Sequence, residues 1–416
     1  MKIQGVPGGL PTGVSLVSFD KDAFQSYGLD GAANAGIGYR AAEGYCRALI
    51  ALIQEKLVEN PSTRLRVGET LFLIWTRDRD PVVGEIVRSF SEPDDEKIAR
   101  IKQKAQERIK KERRAAIDQT KALVGAVEAG QPSRSGPKDL NQLYCLALSG
   151  NAARAIVRDY LEVPLVEAAA NIARWFDDLS IVRVESKGAV STTGAFPLWL
   201  LAAATARKSE DVGPEVYPQL LSAALRGAEA PLPESILVAC LNRLRAEASQ
   251  TLFKAPRMAL IKLYLLRRNQ AVSEALDESN KNPAYVCGRL LALFEEIQYA
   301  ALGPVNANVV DKYFGIFGVT PSSVFKRLHD NSLNHLRKIR TGSDEKAIGK
   351  AFRMKKDLAE LLNLLEFPPT GMLSPVEQAK FALGYYHQFH AKLQAINDYK
   401  AIAAGKRLES EASAET

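Results

Sequence analysis

Two of the four histidines, His387 and His390, stand three apart, a spacing at which one helix face could offer two imidazoles to a metal ion. No Cys, Asp or Glu lies close by in sequence to complete a ligand set, and Tyr385, Tyr386 and Phe389 surround the pair. Packed side chains are therefore expected, with a metal-dependent nuclease as the competing reading. Asp177-Asp178 and Glu295-Glu296 are adjacent carboxylates. Neighbours on a helix point about 100° apart, so neither pair is an acid–base site by itself. Ser149-Gly150-Asn151 reads as the start of a helix carrying Arg154 and Arg158. A helix N-terminus with arginines can hold phosphate; a capped turn with solvated arginines competes. Gly36-Ile37-Gly38 follows no convincing strand, and the sequence has no P-loop, nucleophile elbow or strand-linked dinucleotide fingerprint. The residues argue against an enzyme and call for no cofactor and no metal.

The chemistry the sequence does support is the binding of polyanions. Thr320-Pro321 reads as a helix start, with a capping hydroxyl and then proline at the first helical position. Beyond it Val324, Phe325, Leu328, Leu336 and Ile339 share one side at helical spacing, and Lys326, Arg327, Asn334, Arg337 and Lys338 the other. After a Thr341-Gly342-Ser343 break the pattern repeats. Ile348, Ala351, Phe352, Met354, Leu358, Leu361, Leu362 and Leu365 make the apolar stripe, opposite Lys346, Lys350, Arg353 and Lys356. The eight cations Lys326, Arg327, Arg337, Lys338, Lys346, Lys350, Arg353 and Lys356 are the candidate nucleic-acid-binding residues. If all eight met phosphates of single-stranded DNA, log K would fall with log salt at a slope of roughly −5 to −6. A solvated surface is the plainer alternative, since any surface helix carries lysines. Tyr313, Phe314 and Phe317, in a glycine-rich turn ahead of the first basic helix, could stack bases or plug the interhelical core.

The elements that would position these residues belong to a chain of 416 residues, long enough for two or three domains. The 55 Lys+Arg against 48 Asp+Glu give +7, a mild bias that makes any nucleic-acid contact local rather than global. Cys46, Cys145, Cys240 and Cys287 are far apart in apolar settings, which predicts buried free thiols in a reducing compartment. No apolar run is long enough to span a bilayer and the start has no secretory pattern. A cytoplasmic protein without membrane contact is expected.

The expected fold is mostly α, with a small α/β N-terminal portion and a C-terminal helical bundle. Residues 1–90 carry the strand character, at Val14–Phe19 and within Leu65–Trp75, with a helix over Ala41–Glu55 between them. Residues 91–139 form a charged helical arm, acidic at its start and basic beyond, and a Gly130–Pro137 linker; the arm is read as solvated or as touching nucleic acid. Residues 140–281 read as a helical domain, with helices at Leu143–Ala147, Ala152–Leu161, Leu165–Asp178, Phe196–Arg207, Pro218–Arg226, Glu234–Ala246 and Pro256–Arg268. Ile181–Val184 is read as one short strand. Residues 282–416 form the C-terminal bundle, beginning with Pro283–Ala301 and ending with a helix opened by the Ser374–Glu377 capping box. A frayed polar tail from Lys406 follows.

Several stretches, in order along the chain, resemble the large subunit of the type I-C CRISPR interference complex (Cascade). They are Gly13–Phe19, Asp22–Gly28, Ser149–Arg154, Leu201–Ala206, Asn282–Tyr285 with Gly288–Leu290, Val305–Ala307, Asp311–Gly315, Thr320–Phe325 and Phe381–Gln388. The resemblance covers nearly the whole chain except the arm at 91–130 and the tail. Met1 lines up with the interior of the family's longer members, so a missing N-terminal part is expected. The resemblance implies a non-catalytic subunit of a crRNA-guided surveillance complex in antiviral defence. Its implied partners are crRNA, target DNA and the displaced strand, the backbone, guide-end-capping and small subunits, and the helicase-nuclease. It also implies that the bundle from Asn282 onward resembles the complex's small subunit. A helical protein–protein scaffold without nucleic-acid binding is the alternative.

Overall fold

The computed structural model describes all residues except Met1, Asp20, 55–63, 129–140, 186–188, 248–253 and 415–416; for 112, 116, 119–128, 229 and 400–414 only the backbone is described. The Gly130–Pro137 linker and the last two residues of the tail lie outside the described residues. The chain is mostly helical, with one four-stranded sheet and one hairpin among the described residues. It divides into two compact units. The first comprises Met1–Asp177, Ala195–Ala202 and Lys208–Pro231; the second comprises Asp178–Gly194, Ala203–Arg207 and Leu232–Thr416.

The first unit begins with an irregular segment and the helix α1 (Tyr39–Gln54). Its sheet is an antiparallel meander of β1 (Arg64–Val67), β2 (Thr70–Thr76), β3 (Gln142–Asn151) and β4 (Arg154–Pro164). Gly68, at φ +58°, supplies the left-handed first position of the two-residue turn between β1 and β2. Between β2 and β3 come α2 (Val82–Ser91) and α3 (Asp95–Glu128). Ile3, Val6, Val14, Leu49, Ile53, Leu71, Leu73 and Leu148 form one buried cluster. Val14 and Ser15 make only isolated bridges, to Ile3 and Arg154, so Val14–Phe19 is not a full strand. Gly9 and Gly150 let two backbones touch: a Cβ on Gly150 would sit 2.2 Å from the Gly9 nitrogen.

Two expected helices are strands. Leu143–Ala147 and Ala152–Leu161 lie in β3 and β4, which pair along their whole length with a bulge between Ala147 and Leu148. In β4, Leu161 and Val163 are buried while Tyr160 and Glu162 are exposed, the period-2 burial of a strand. The expected solvated arm is anchored along its first half. Ile98, Ile101 and Ala105 are buried, Arg108 pairs with Asp80 at 2.9 Å, and Lys102 and Lys104 engage Asp177 and Glu85. The unit also contains α4 (Leu165–Leu179), which ends just past its boundary.

The second unit opens with a hairpin of β5 (Ile181–Val184) and β6 (Val190–Thr193), so the short strand read at Ile181 is present and paired. Then come α5 (Leu198–Ala203), shorter than expected and lying mainly in the first unit, and α6 (Val216–Arg226), which packs on β4 there. The remaining helices belong to the second unit: α7 (Glu234–Ala246), α8 (Lys254–Leu266), α9 (Pro283–Leu302), α10 (Val309–Phe317), α11 (Pro321–Arg340), α12 (Glu345–Leu365) and α13 (Pro375–Ala414). The central helix is α9, with every residue from Ala284 to Phe294 buried and α10, α11, α12 and α13 packed on it. Asn282 caps it by accepting from the Tyr285 N–H at 3.2 Å. It meets α13 glycine to backbone: a Cβ on Gly288 would fall 2.0 Å from the Phe381 carbonyl oxygen, and one on Gly384 2.0 Å from that of Tyr285. No helix among the described residues is long and apolar enough to cross a membrane.

Candidate nucleic-acid interface

Helix α11 starts at Pro321, but Thr320 does not cap it through its side chain; the hydroxyl instead meets the Ile316 carbonyl and the Ser323 hydroxyl. The Ser374 box does form, with the Ser374 N–H donating to Glu377 Oε2 at 2.7 Å and the Glu377 N–H to Ser374 Oγ at 3.3 Å. Val324, Leu328, Ser332, Leu336 and Ile339 turn α11 toward the core, which forces Lys326, Arg327, Arg337 and Lys338 to the opposite, solvent side. Lys326 pairs with Asp330 at 3.0 Å. Arg327, Arg337 and Lys338 have no carboxylate partner among the described residues.

On α12 the buried side is Ala351, Met354, Leu358, Leu361 and Leu365. Lys350 reaches Glu296 of α9 at 3.6 Å, a carboxylate also 3.9 Å from Lys392, and Lys356 stands 3.6 Å from Glu360. Arg353 acts electrostatically on Asp357, whose pKa is nevertheless raised, first by burial and then by Glu360. Lys346 is exposed in the first turn. Phe352, expected in the apolar stripe, is instead half-exposed under the Arg340 guanidinium, 4.9 Å above its ring. That contact marks the edge of α12 beside α11. Lys346, Lys350 and Arg353 follow one another at i, i+4 and i+7 on the far edge. The eight cations thus form two groups, one on the outer face of α11 and one along α12 with acids interleaved. Arg340, exposed one turn after Arg337, extends the first group and was legible from that spacing.

The aromatic residues ahead of α11 lie on a helix, α10, rather than in a turn. Asn308 and Asp311 form its capping box. Phe314 and Phe317 are buried edge-on against Phe381, at 5.4 and 5.6 Å between centroids, so they plug the core. Tyr313 is only half-buried and lines a cleft of about 130 Å³ between α9, α10 and α11, with Phe294, Gln298, Val309, Lys312, Leu328, Asn331, Ser332 and His335. A second cleft of about 220 Å³ lies on the far side of Gln298 and contains Glu295, whose pKa is raised by burial. The sequence offered no sign of the first cleft, because it is assembled from three helices; the second is lined by the end of α9 and the residues 303–308 that follow it.

The other candidate chemistry is dispersed. His387 is fully buried, with Nδ1 3.0 Å from the Tyr285 hydroxyl, and His390 Nδ1 lies 2.8 Å from the Tyr386 carbonyl. Burial first pushes the pKa of His387 down to about 3, helped by His390 and Lys262, and that of His390 down to about 4 against the Tyr386 carbonyl and with help from Lys254, so both are neutral. No group of three or more His, Cys, Asp or Glu suited to a metal occurs among the described residues. Ser149–Asn151 lies at the end of β3, not at a helix start: Ser149 Oγ accepts from Arg158 Nε at 2.7 Å, and Arg154 sits over the Phe24 ring. The adjacent acids have separate partners, Asp178 with Arg267 and Glu295 with Tyr385 and Asn308. All four cysteines are free and buried, with burial pushing Cys240 and Cys287 up to about 12.

The model of a family described as CRISPR-associated protein (Cas_Csd1) matches residues 1–392. The chain belongs to that family. The match includes the whole of α11 and α12, so the cationic faces of this CRISPR-associated protein are part of the family's own region. It gives no support to the expected missing N-terminal part. No curated protein matches the chain.

Proposed function

We propose that this chain is the non-catalytic large subunit of a crRNA-guided type I-C CRISPR surveillance complex in the cytoplasm, acting in antiviral defence. In this reading it holds target and displaced DNA by sugar-phosphate contacts and helps to recruit the helicase-nuclease. The observation that carries the reading is the outer face of α11, where Arg327, Arg337 and Lys338 are exposed without carboxylate partners among the described residues. Opening a duplex against a guide is nearly balanced in free energy, so backbone contacts of this kind decide whether the open state persists. Such contacts fix position without reading sequence. Addressing is then left to the guide and cutting to a partner.

The test is co-expression of the full chain with guide RNA and the complex's backbone subunits. Co-purification, with salt-sensitive binding of single-stranded DNA that Arg327→Gln, Arg337→Gln and Lys338→Gln together weaken equally on all sequences, is the expected result. A loss confined to some sequences contradicts it. The scaffold reading draws on the carboxylates beside Lys326, Lys350 and Lys356. It predicts co-purification with the other subunits and no DNA binding even at low salt.

A further inference from the structure

The cleft beside the cationic face of α11 has a composition that simple packing does not require. Its floor is apolar, made by Phe294, Leu328 and Val309. Its walls carry polar groups with capacity to spare. Gln298 uses its Oε1 to accept from the Val309 N–H at 2.8 Å, which turns its amide NH2 away as an unused donor. Asn331, His335 and the Tyr313 hydroxyl have no hydrogen-bond partner among the described residues. His335 is kept neutral by burial and then by Lys338, so it offers one donor and one acceptor.

Size narrows the occupant. The space, about 130 Å³, is roughly ten times the 10–15 Å³ that one water needs. It is well below the roughly 300 Å³ at which sites for whole drug-sized molecules begin. A single planar ring system fits that range. Position narrows it further. Arg327, Asn331, His335 and Lys338 follow one another at i, i+4, i+8 and i+11 along one edge of α11. A sugar-phosphate chain running over Arg327 and Lys338 therefore passes the mouth of the cleft, with Lys312 of α10 on the other rim.

We propose that this cleft between α9, α10 and α11 takes in one nucleobase splayed out from a single DNA strand held on the cationic face of α11. Tyr313 and His335 offer ring faces, and the Gln298 and Asn331 amides meet the base edge. A base entering here locks the strand in register without a demand for one sequence, because every base has a ring face and an edge with hydrogen-bonding groups.

The inference rests on the proposed DNA-binding reading, and the experiment separates the two. The full chain is titrated by fluorescence anisotropy with a thymidine homopolymer and with an abasic deoxyribose-phosphate chain of equal length and charge. Intact DNA is expected to bind about 5- to 10-fold more tightly than abasic DNA. Asn331→Leu, which keeps the shape but removes the amide, and Tyr313→Ala, which removes a ring, each lower the intact-to-abasic ratio. Arg337→Gln weakens both chains alike and keeps their ratio. Equal binding of the two chains by the unaltered protein, or a ratio unchanged in both cleft variants while they melt like the parent, overturns the cleft proposal alone. Failure of both chains to bind at low salt overturns the DNA-binding reading and the cleft with it.

Discussion

The inner helix pair α9 and α13 and the outer pair α11 and α12 lie in one unit and use opposite physics. The inner pair meets backbone to backbone through Gly288 and Gly384. It gives its large buried polar side chains partners, although His387 Nε2 has none among the described residues: Arg289 Nε donates to Gln388 at 2.9 Å, and the Tyr386 hydroxyl to the Val182 carbonyl at 2.6 Å. The outer pair buries one stripe and leaves cations in water. On α12 Lys350, Arg353 and Lys356 have acids close by, while on α11 three of the four cations do not. The difference teaches where stability and binding reside. The inner residues cannot change without cost to the fold; the α11 cations contribute little to the fold and remain available for a ligand.

The comparison breaks most visibly at the glycines. Gly384→Ala or Gly288→Ala places a methyl group 2.0 Å from a backbone oxygen that cannot move alone, so a loss of about 3 kcal/mol, at the upper end for overpacking, is expected in thermal or denaturant unfolding. Acid is the next lever. Unfolded histidine takes its proton near pH 6.5, whereas folded His390 and His387 resist until about 4 and about 3. The unfolded chain therefore binds more protons below about pH 6.5. Stability is full above that value and falls as pH drops through this window, by an amount of the order of a few kcal/mol. Unfolding midpoints between pH 7 and 4 measure it, and a flat profile contradicts the buried neutral pair.

Smaller effects sharpen the outer half of the comparison. Replacing Arg327, Arg337 and Lys338 together by Gln should reduce the salt slope of single-stranded DNA binding by about 2. Stability should shift by no more than about 0.5 kcal/mol, as expected for surface sites. Gly349→Ala, where the new Cβ meets nothing within 4 Å, should stabilise α12 by about 0.5–1 kcal/mol, opposite in sign to the inner glycines. Lys350→Gln should change DNA affinity less than Arg337→Gln, because Lys350 already faces Glu296.

The helices of the second unit were legible because long amphipathic patterns with caps at Asn282 and Ser374 leave few alternatives. β3 and β4 were not. Leu143–Leu148 is apolar throughout, which fits a buried strand and a buried helix alike. In β4 the alternation is confined to Tyr160–Val163, and the residues before it fit a helical period as well. Gly315 and Gly318 favour a turn for the aromatic group at 313–317, whereas the Asn308–Asp311 capping box starts a helix there.

The sequence alone determined that the chain is mostly helical, that the second unit presents cations from two consecutive helices, and which family motifs it carries. Those properties follow from the order of side chains along a chain and from a 3.6-residue period, both of which are local. Tertiary structure decided which strands pair, which lysines stand beside an acid, and where Gln298, Tyr313, Asn331 and His335 converge. Each of those depends on residues far apart in sequence, and only the packing of α9 against its neighbours brings the residues of the cleft together.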